Sequence, residues 1–575
     1  MEACCGDVRK PLTEYGAGRA HISTMHRLLT RPVRQVVSVL ACGVAATRSA
    51  HAVHAMHALP IHARPVHALP AYAQPPLARQ TVPPPQAVEA AVRALAANAG
   101  DSHDQRLATA VHRFYLARAF APVWATDSGW TEGGRQLHAA LQTAASEGLD
   151  PARYAVPPLS PPTSVDAAIA EVRLAFAALR FAEDLGWGLA RPGTVRDAAY
   201  ERRPFRGDSL LRSWAGAPDA GRALLAVAPG SAEYARLRES LHRLRAIERD
   251  GGWLAMSPGP TLRLGSVGLR VRELRRVLRQ RGDLAPGESG DDAGADRFDD
   301  VLAAALARFQ ARHGLADDGV LGRRTLAALA VPAAARLGQV RLGLERTRWL
   351  PPVTGRRWIT VNLADAHAFL FDDGVPVLRT RVVIGDTSHK TPLFADTLTN
   401  IVFNPAWNVP PSIAATEILP KLRRDPEYLV RNHMVREGGE IRQLPGPWNA
   451  LGQIAFMFPN RFNVYMHDTP AKELFARPDR AHSHGCIRVQ RPHDLAELVL
   501  APDGWTRAQL DSAIATGRRS VVWLKAPIPV RLTYATAFLD DDGTLQFRPD
   551  VYGRDAELER IMLREDSRPL PLLRP

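Results

Sequence analysis

The feature that most limits how this chain folds is a change of apolar periodicity along its length. Between residues 87 and 255, segments such as "IAEVRLAFAALRFAEDLGWGLA" carry apolar residues at helical spacing. After Arg341, segments such as "RWITVNLADAHAFLFDDGVPVLRTRVVIG" alternate apolar and polar residues, with a turn predicted at Asp372-Asp373-Gly374. Because 575 residues exceed what one core can hold, the sequence predicts a multidomain α+β protein with a mainly-β C-terminal domain.

The composition is that of an ordinary globular protein, with 46% hydrophobic and 23% charged residues. The formal net charge of +14 comes mostly from arginines that are scattered through every segment. Nucleic-acid binders usually concentrate basic residues into a patch that alternates with aromatics, so this distribution argues against a nucleic-acid partner. A polyanionic cell wall or a membrane face would also suit a basic surface.

Residues 1–52 are predicted to be an N-terminal extension with a secretory signal peptide, whose true start could be Met25. The basic stretch "HRLLTRPVRQ" precedes an apolar run from Val36 to Ala46 and a small-x-small site that ends at Ala52. The run is too short to cross a bilayer, so no transmembrane span is expected in the mature protein. Residues 53–86 are rich in Ala, Pro and His, which favours an extended linker over weak metal binding.

The segment from Leu262 to Pro332 predicts three short helices, at Val271 to Gln280, Asp299 to His313 and Gly322 to Leu329. Its stretches "LRLGSVG", "FQARHGL" and "DGVLGRRTLAAL" resemble the marks of the small three-helix peptidoglycan-binding module. The resemblance implies such a domain over residues 256–333. The polar stretch from Ala285 to Asp296 is expected to be a disordered surface insertion.

The chain contains four cysteines: Cys4, Cys5, Cys42 and Cys486. The first three lie in the segment that we expect to be removed from the mature protein. Cys486, in "HSHGCIRV", would then have no partner for an internal disulfide in an oxidising compartment. A single thiol in that environment must be either buried or used.

Three interpretations of Cys486 compete. A zinc site could use His467, His482 and His484 with the thiol, but the chain lacks the usual ligand spacings and a second thiolate. A buried structural cysteine would need apolar neighbours, whereas "HSHG" is polar and flexible. A nucleophile needs an imidazole, which accepts the thiol proton and pairs with the thiolate. Gly485 also permits a sharp turn, so that the Gly485 and Cys486 amides could both face a developing oxyanion.

Two histidines could be the base. His484 is only two residues from Cys486, and so short a tether rarely places an imidazole on the thiol. His467 lies nineteen residues upstream, at the end of the predicted strand "NVYMH", and is favoured. Its other ring nitrogen needs an acceptor that fixes the tautomer, and the backbone carbonyl of Asp468 would serve.

His467 followed by Ser483-His484-Gly485-Cys486 resembles the signature of the L,D-transpeptidase (YkuD-type) catalytic domain. The stretches "NPAWNVPPSIA", "LPKLRRDPEYL", "LGQIAFMFPN" and "HDTPAKELF" are similar to its large periplasmic subgroup. That resemblance implies a helical scaffold domain at 87–255, a catalytic domain at 341–560 and a tail at 561–575. It also implies a capping region at about 418–445, whose charged sequence suits a mobile lid over the cleft.

The same resemblance assigns roles to individual residues. It implies that Cys486 is the nucleophile and His467 the general base and acid, with His484 and Gly485 shaping the oxyanion hole and its loop. The residues that it implies for substrate binding are Tyr465, Arg488, Ser483, Trp407 and Asn408. Ser483 could equally be a loop hydroxyl without a chemical role, and Trp407 a packed core residue.

The expected protein is therefore a periplasmic enzyme of cell wall biogenesis that forms 3–3 cross-links through a cysteine thioester. Its expected partners are the stem peptides and glycan of peptidoglycan, with other wall synthases as further candidates. No metal or organic cofactor is expected. Two alternatives stay open: a cysteine L,D-carboxypeptidase or endopeptidase of the same fold, and a non-catalytic peptidoglycan-binding protein.

Overall fold

The computed structural model describes residues 81–157, 163–285, 287, 295–353, 355–571 and 573. The predicted signal peptide, residues 53–80 of the predicted linker, and Cys4, Cys5 and Cys42 lie outside the described residues. Residues 286 and 288–294 of the predicted insertion also lie outside them. Within the described ranges, no helix is both long enough and apolar enough to cross a membrane.

The helical spacing before residue 255 is confirmed, because the described part of this region contains seven α-helices. They are α1 (Pro85–Asn98), α2 (Ser102–Leu116), α3 (Glu132–Leu141), α4 (Ser164–Trp187), α5 (Gly207–Ala215), α6 (Ala220–Leu225) and α7 (Ala232–Arg249). A short ribbon, β1 (Ala125–Thr126) with β2 (Gly129–Trp130), lies between α2 and α3. Helix α1 begins inside the predicted linker, two residues before the predicted boundary.

Helix α4 is the centre of this helical region and packs against α1, α2 and α3. Thr163 and Asp166 begin it with reciprocal side-chain-to-backbone hydrogen bonds, which satisfy amides of the first turn. Its buried Glu171 carboxylate accepts backbone N–H groups from Val123 and Trp124, each at 2.6 Å. The central helix thereby orders the loop that leads into the β1–β2 ribbon.

The three helices predicted for the middle segment are confirmed within one or two residues at each end. They are α8 (Leu269–Gln280), α9 (Asp300–Arg312) and α10 (Arg323–Leu329). This segment has its own apolar core, which includes Val271, Leu274 and Phe309. His313 stacks on Phe309 at 4.0 Å and on Phe547 at 5.5 Å, so the three-helix segment also contacts the C-terminal domain.

The expectation of strands directly after Arg341 is wrong, because helix α11 (Ala333–Trp349) continues past this residue. This helix is covered on most of its circumference, and buried charged side chains near its C-terminal end form ion pairs inside the protein. Arg348 donates to Glu345 at 2.9 Å, and Arg346 to Asp555 at 2.6 Å. A helix enclosed in this way has no apolar stripe that the sequence could reveal. The predicted start of the catalytic domain at 341 falls inside it.

The C-terminal region is rich in strands, as predicted. In chain order its strands are β3 (Arg357–Asn362), β4 (His367–Asp372), β5 (Val375–Gly385), β6 (Phe394–Phe403), β7 (Trp407–Asn408), β8 (Met434–Glu437), β9 (Glu440–Gln443), β10 (Ile454–Met457), β11 (Met466–His467), β12 (Ala481–Ser483), β13 (Ile487–Val489), β14 (Ser520–Thr533), β15 (Ala537–Leu539) and β16 (Leu545–Phe547). Its helices are α12 (Pro411–Ile413), α13 (Leu419–Arg424), α14 (Tyr428–Arg431), α15 (Pro492–Leu500), α16 (Arg507–Ala515) and α17 (Arg554–Asp566).

Nine of these strands form one mixed sheet in the order β12-β5-β13-β11-β10-β6-β14-β3-β4. Since β4 also pairs with β5, the sheet closes on itself around an apolar interior. The predicted turn between β4 and β5 is confirmed: Asp373 and Gly374 have φ angles of 49° and 82°, as a two-residue hairpin of the right twist requires. The parallel pair β11–β13 lies within this sheet.

Residues 407–443, here called the cap, form a separate body beside the sheet. Strands β7, β9 and β8 make a three-stranded sheet, which is covered by α12, α13 and α14. The cap has its own apolar cluster, formed by Val409, Ile413, Ile418, Met434 and Ile441. It overlaps the capping region predicted at about 418–445 and is folded around that cluster despite its charged sequence.

Candidate active site

The parallel pairing of β11 with β13 brings the predicted nucleophile and base together. His467 lies opposite Arg488, and the Ile487 N–H donates to the Tyr465 carbonyl at 3.0 Å. Residues that lie opposite share a face of the sheet, and successive residues alternate between faces. Cys486 comes directly before β13 and two residues before Arg488, so this alternation places it on the face that carries His467. Tyr465 shares this face, with its ring 5.6 Å from the His467 ring.

His467 is buried, and a backbone carbonyl fixes its tautomer. Its Nδ1 lies 2.5 Å from the Asp468 carbonyl oxygen, as the sequence predicted. A carbonyl oxygen can only accept, so Nδ1 carries the proton and Nε2 presents a lone pair. Burial, the larger cause, and the positive charge of Arg488 together lower the pKa of His467 to about 4.

The imidazole is therefore neutral at neutral pH. Burial also lowers the pKa of Arg488, while Cys486 acts in the opposite direction, so the guanidinium lies near the thiol as well. The site presents a thiol, a neutral base and a fixed positive charge on one face.

Asp468, which holds the base, is itself held from several sides. Its carboxylate accepts the backbone N–H groups of Gln453 at 2.9 Å and Thr469 at 2.7 Å, and it pairs with Lys472. A Cβ at Gly452, where φ is 61°, would overlap this carboxylate. Gly452 is a residue that sequence reasoning missed, since nothing near it in the chain marks the contact.

The loop that carries Cys486 is closed by the Ser483 hydroxyl. Ser483 Oγ donates to the Cys486 carbonyl at 2.5 Å and accepts the Gly485 N–H at 3.2 Å. Gly485 has a φ of 112°, so the predicted sharp turn is present. The expectation that the Gly485 amide faces the same point as the Cys486 amide needs correction, because the former is turned toward Ser483. The hydroxyl of Ser483 shapes the loop.

A second layer fixes this loop from below. Thr391 is fully buried; its hydroxyl donates to the Gly485 carbonyl at 2.8 Å and accepts the Gly385 N–H at 3.0 Å. The Tyr552 hydroxyl donates to the Gly385 carbonyl at 2.5 Å. Thr391 and Tyr552 were not predicted from the sequence, since both lie far along the chain from the motif that they support.

His484 contacts the cap and the loop between β5 and β6. Its Nε2 lies 2.6 Å from Glu417 Oε1, and its ring centroid lies 4.8 Å from that of His389. The three histidines of the zinc alternative thus have different partners: Asp468 for His467, Glu417 for His484, and the Asp479 carbonyl, at 3.1 Å, for His482. In the described ranges no group of three or more His, Cys, Asp or Glu side chains is placed to hold a metal ion.

Cys486 is partly exposed, and its Sγ lies 3.9 Å from the Asn463 carbonyl oxygen. Trp407 and Asn408 lie on β7, where they pair with Gln443 and Arg442 of β9 at the base of the cap. Trp407 packs against both the cap cluster and the main core, which agrees with the alternative interpretation of Trp407 as a packed core residue. Asn408 is exposed. The structure thus groups Tyr465, His467 and Arg488 with the thiol and places Trp407 and Asn408 in the cap.

Three segments of the chain match family models. Residues 356–521 match "L,D-transpeptidase catalytic domain", residues 109–241 match "Scaffold domain", and residues 267–329 match "Putative peptidoglycan binding domain". All of the predicted site residues lie within the first of these segments.

Among curated proteins, the chain is similar to a Haemophilus influenzae protein named "Putative L,D-transpeptidase". The two are 29% identical over 272 residues, which is 43% of this chain and 55% of the relative. The chain thus spans about half the length of the curated relative that it matches.

Two solved structures also match part of this chain. An L,D-transpeptidase (Yku) from Stackebrandtia nassauensis is 13% identical, covering 48% of this chain and 95% of that one, with a TM-score of 0.21. An L,D-transpeptidase from Xylanimonas cellulosilytica is 17% identical, covering 48% and 99%, with a TM-score of 0.16. The three matched segments identify a YkuD-type L,D-transpeptidase catalytic domain, a scaffold domain and a peptidoglycan-binding domain within this chain.

Proposed function

We propose that this protein is a peptidoglycan L,D-transpeptidase that forms 3–3 cross-links between stem peptides through a thioester on Cys486. The observation that carries the proposal is the shared face of β11 and β13, on which His467, Cys486 and Arg488 are neighbours. The donor is a tetrapeptide stem whose third residue, a diamino acid, is joined by its L-centre to a terminal D-alanine.

Acylation begins with a thiol and a neutral imidazole. His467 Nε2 accepts the Cys486 proton as Sγ attacks the carbonyl carbon of the diamino acid. The bond from that carbon to the D-alanine nitrogen breaks, and the imidazolium returns its proton to the leaving amine. The carbonyl of Asp468 keeps the ring oriented throughout, and the thioester remains on Sγ.

Deacylation runs through the same groups. An amine of a neighbouring stem attacks the thioester carbonyl, and His467 accepts one amine proton. The C–S bond breaks as the new amide forms, and the proton returns to Sγ. Arg488 is assigned to a substrate carboxylate, since a guanidinium can bind both carboxylate oxygens at once.

The oxyanion needs a donor other than the Gly485 N–H, which is turned toward Ser483. The backbone N–H of Cys486 is the nearest amide to a carbonyl carbon bound to its own Sγ, and we assign it to the developing charge. Ser483, Gly485 and Thr391 act on this step indirectly, by fixing the backbone of the loop.

The remaining domains are assigned to the polymer. The peptidoglycan-binding domain would hold glycan or stem peptide while the catalytic domain works, after export to the periplasm, where other wall synthases are candidate partners. The test is incubation of the purified protein with disaccharide tetrapeptide, with products identified by mass spectrometry. Cross-linked dimers with released D-alanine support transpeptidation. Tripeptide alone would instead support the carboxypeptidase alternative.

A further inference from the structure

The cap is a separate body whose first helical turns face the loop of the nucleophile. Between α12 and α13 the chain makes one π-helical turn, Ala414–Ile418, which contains Glu417. Pro420, in the first turn of α13, has no N–H to continue regular helical hydrogen bonding. Such π turns occur often at functional sites.

The Glu417 side chain leaves this turn and meets His484. The two side chains are 39% and 35% exposed, and their Oε1 and Nε2 atoms lie 2.6 Å apart. His484 is the residue between Ser483 and Gly485, whose hydrogen bonds fix the nucleophile loop. The contact therefore connects the cap to the loop that these hydrogen bonds fix.

On its other side, the His484 ring is backed by the loop between β5 and β6. His389 contacts it at 4.8 Å between centroids, and Asp386 accepts the His389 N–H at 2.7 Å. The Asp386 N–H in turn donates to the Ser483 carbonyl at 2.8 Å. The His484 imidazole, which contacts the cap, is thus supported by the loop between β5 and β6 as well as by its own loop.

We propose that Glu417 is a positioning residue that holds the cap against the nucleophile loop and so favours an amine over water as the acceptor. The inference rests on the proposed function. Water competes for the thioester: its oxygen would bond to the carbonyl carbon, the C–S bond would break, and His467 would pass one water proton to Sγ, releasing a carboxylate. A cap held in place limits the access of water without taking part in acylation.

The test compares Glu417→Ala, which removes the contact, with Glu417→Gln, which keeps an oxygen acceptor for His484. Glu440→Ala is the matched control, because Glu440 is an exposed carboxylate at the end of the cap hairpin. Each variant receives disaccharide tetrapeptide, and the ratio of cross-linked dimer to tripeptide is measured together with the rate of Cys486 acylation.

For Glu417→Ala the ratio of dimer to tripeptide should fall about twofold to fivefold, the range that a single solvent-exposed polar contact supports. The acylation rate should stay within about twofold of the unmodified protein, because a cap contact adds little to the reaction of Sγ itself. The ratio for Glu417→Gln should lie between those of Glu417→Ala and the unmodified protein. The ratio for Glu440→Ala should equal that of the unmodified protein. An unchanged ratio in Glu417→Ala, or a parallel loss of acylation and cross-linking, would overturn the inference.

Backbone hydrogen exchange over residues 411–424 separates this inference from the proposed function, because it needs no substrate. Faster exchange in Glu417→Ala than in Glu440→Ala would support the inference that the contact of Glu417 with His484 holds the cap. This result would stand even if the unmodified protein forms no dimer. Equal exchange rates in the two variants would overturn the inference, whatever the activity.

Discussion

His467 lies directly opposite Arg488 in the β11–β13 ladder, so the base shares its face of the sheet with a fixed cation and with the thiol of Cys486. This relationship explains why the imidazole is neutral: burial and the nearby guanidinium both lower its pKa, to about 4. A neutral imidazole that can accept a proton is therefore the state of His467 at neutral pH.

The acidic limit of acylation should lie near pH 4 rather than near pH 6.5. His467 binds a proton only as the pH falls through its depressed pKa of about 4, so the neutral base persists through mildly acidic solution. Single-turnover acylation rates between pH 3.5 and 8 would measure this limit, with circular dichroism at each pH to report unfolding. An acidic limb centred near pH 6.5 in folded protein would contradict the buried neutral imidazole.

His467→Ala should lower the rate of Cys486 acylation by at least ~10²-fold, the usual scale for a lost general base. The substitution also removes the hydrogen bond to the Asp468 carbonyl, so thermal unfolding must be recorded beside the rate. His484→Ala is the matched control, since that imidazole contacts Glu417, and it should slow acylation far less. A larger loss of acylation in His484→Ala than in His467→Ala would indicate that His484, and not His467, is the general base.

Thr391→Val should destabilise the protein by about 1–3 kcal/mol, the cost of leaving buried polar groups unpaired. The substitution keeps the shape of the side chain but removes the hydroxyl that joins the Gly385 N–H to the Gly485 carbonyl. Urea unfolding would measure the loss, and acylation should slow in the fraction that stays folded. Thr391→Ser keeps the hydroxyl and should retain most of the stability and most of the acylation rate. Equal losses in the two variants would show that the hydroxyl does not support the loop.

Gly452→Ala should impair the site although the residue touches no substrate. Its Cβ would overlap the Asp468 carboxylate, and the φ of 61° adds a backbone cost of about 1–2 kcal/mol for a residue with a side chain. Gly438→Ala is a close control, because Gly438 has a φ of 58° in open space. Acylation should slow in Gly452→Ala well beyond any effect in Gly438→Ala. Equal rates in these two variants would show that Asp468 does not depend on this contact.

The sequence predicted the parts of the site that local pattern encodes. His467 ends an apolar stretch with strand character, and Gly485 marks a turn beside the only cysteine outside the predicted leader. The Asp373-Gly374 turn also follows from local residue type, because both positions adopt positive φ. Strand alternation then suffices to place Arg488 on the same face as Cys486.

The features that were missed depend on contacts between distant parts of the chain. Helix α11 is hidden because buried charges such as Arg348 and Glu345 neutralise each other only once the helix is enclosed. The Gly485 amide turns toward Ser483 because a hydroxyl two residues away captures it, an outcome that loop flexibility alone does not decide. Thr391 supports the motif from 94 residues away, beyond the reach of any local pattern.

The most direct test of the central claim is intact-protein mass spectrometry of the unmodified protein and Cys486→Ala after incubation with disaccharide tetrapeptide. We expect the unmodified protein to gain the mass of the donor less D-alanine, with peptide mapping placing the adduct on Cys486. Cys486→Ala should stay unmodified and should unfold at the same temperature as the unmodified protein. An adduct of the same mass on Cys486→Ala would contradict a thioester at this residue. So would the absence of any adduct on unmodified protein that is folded and consumes the tetrapeptide.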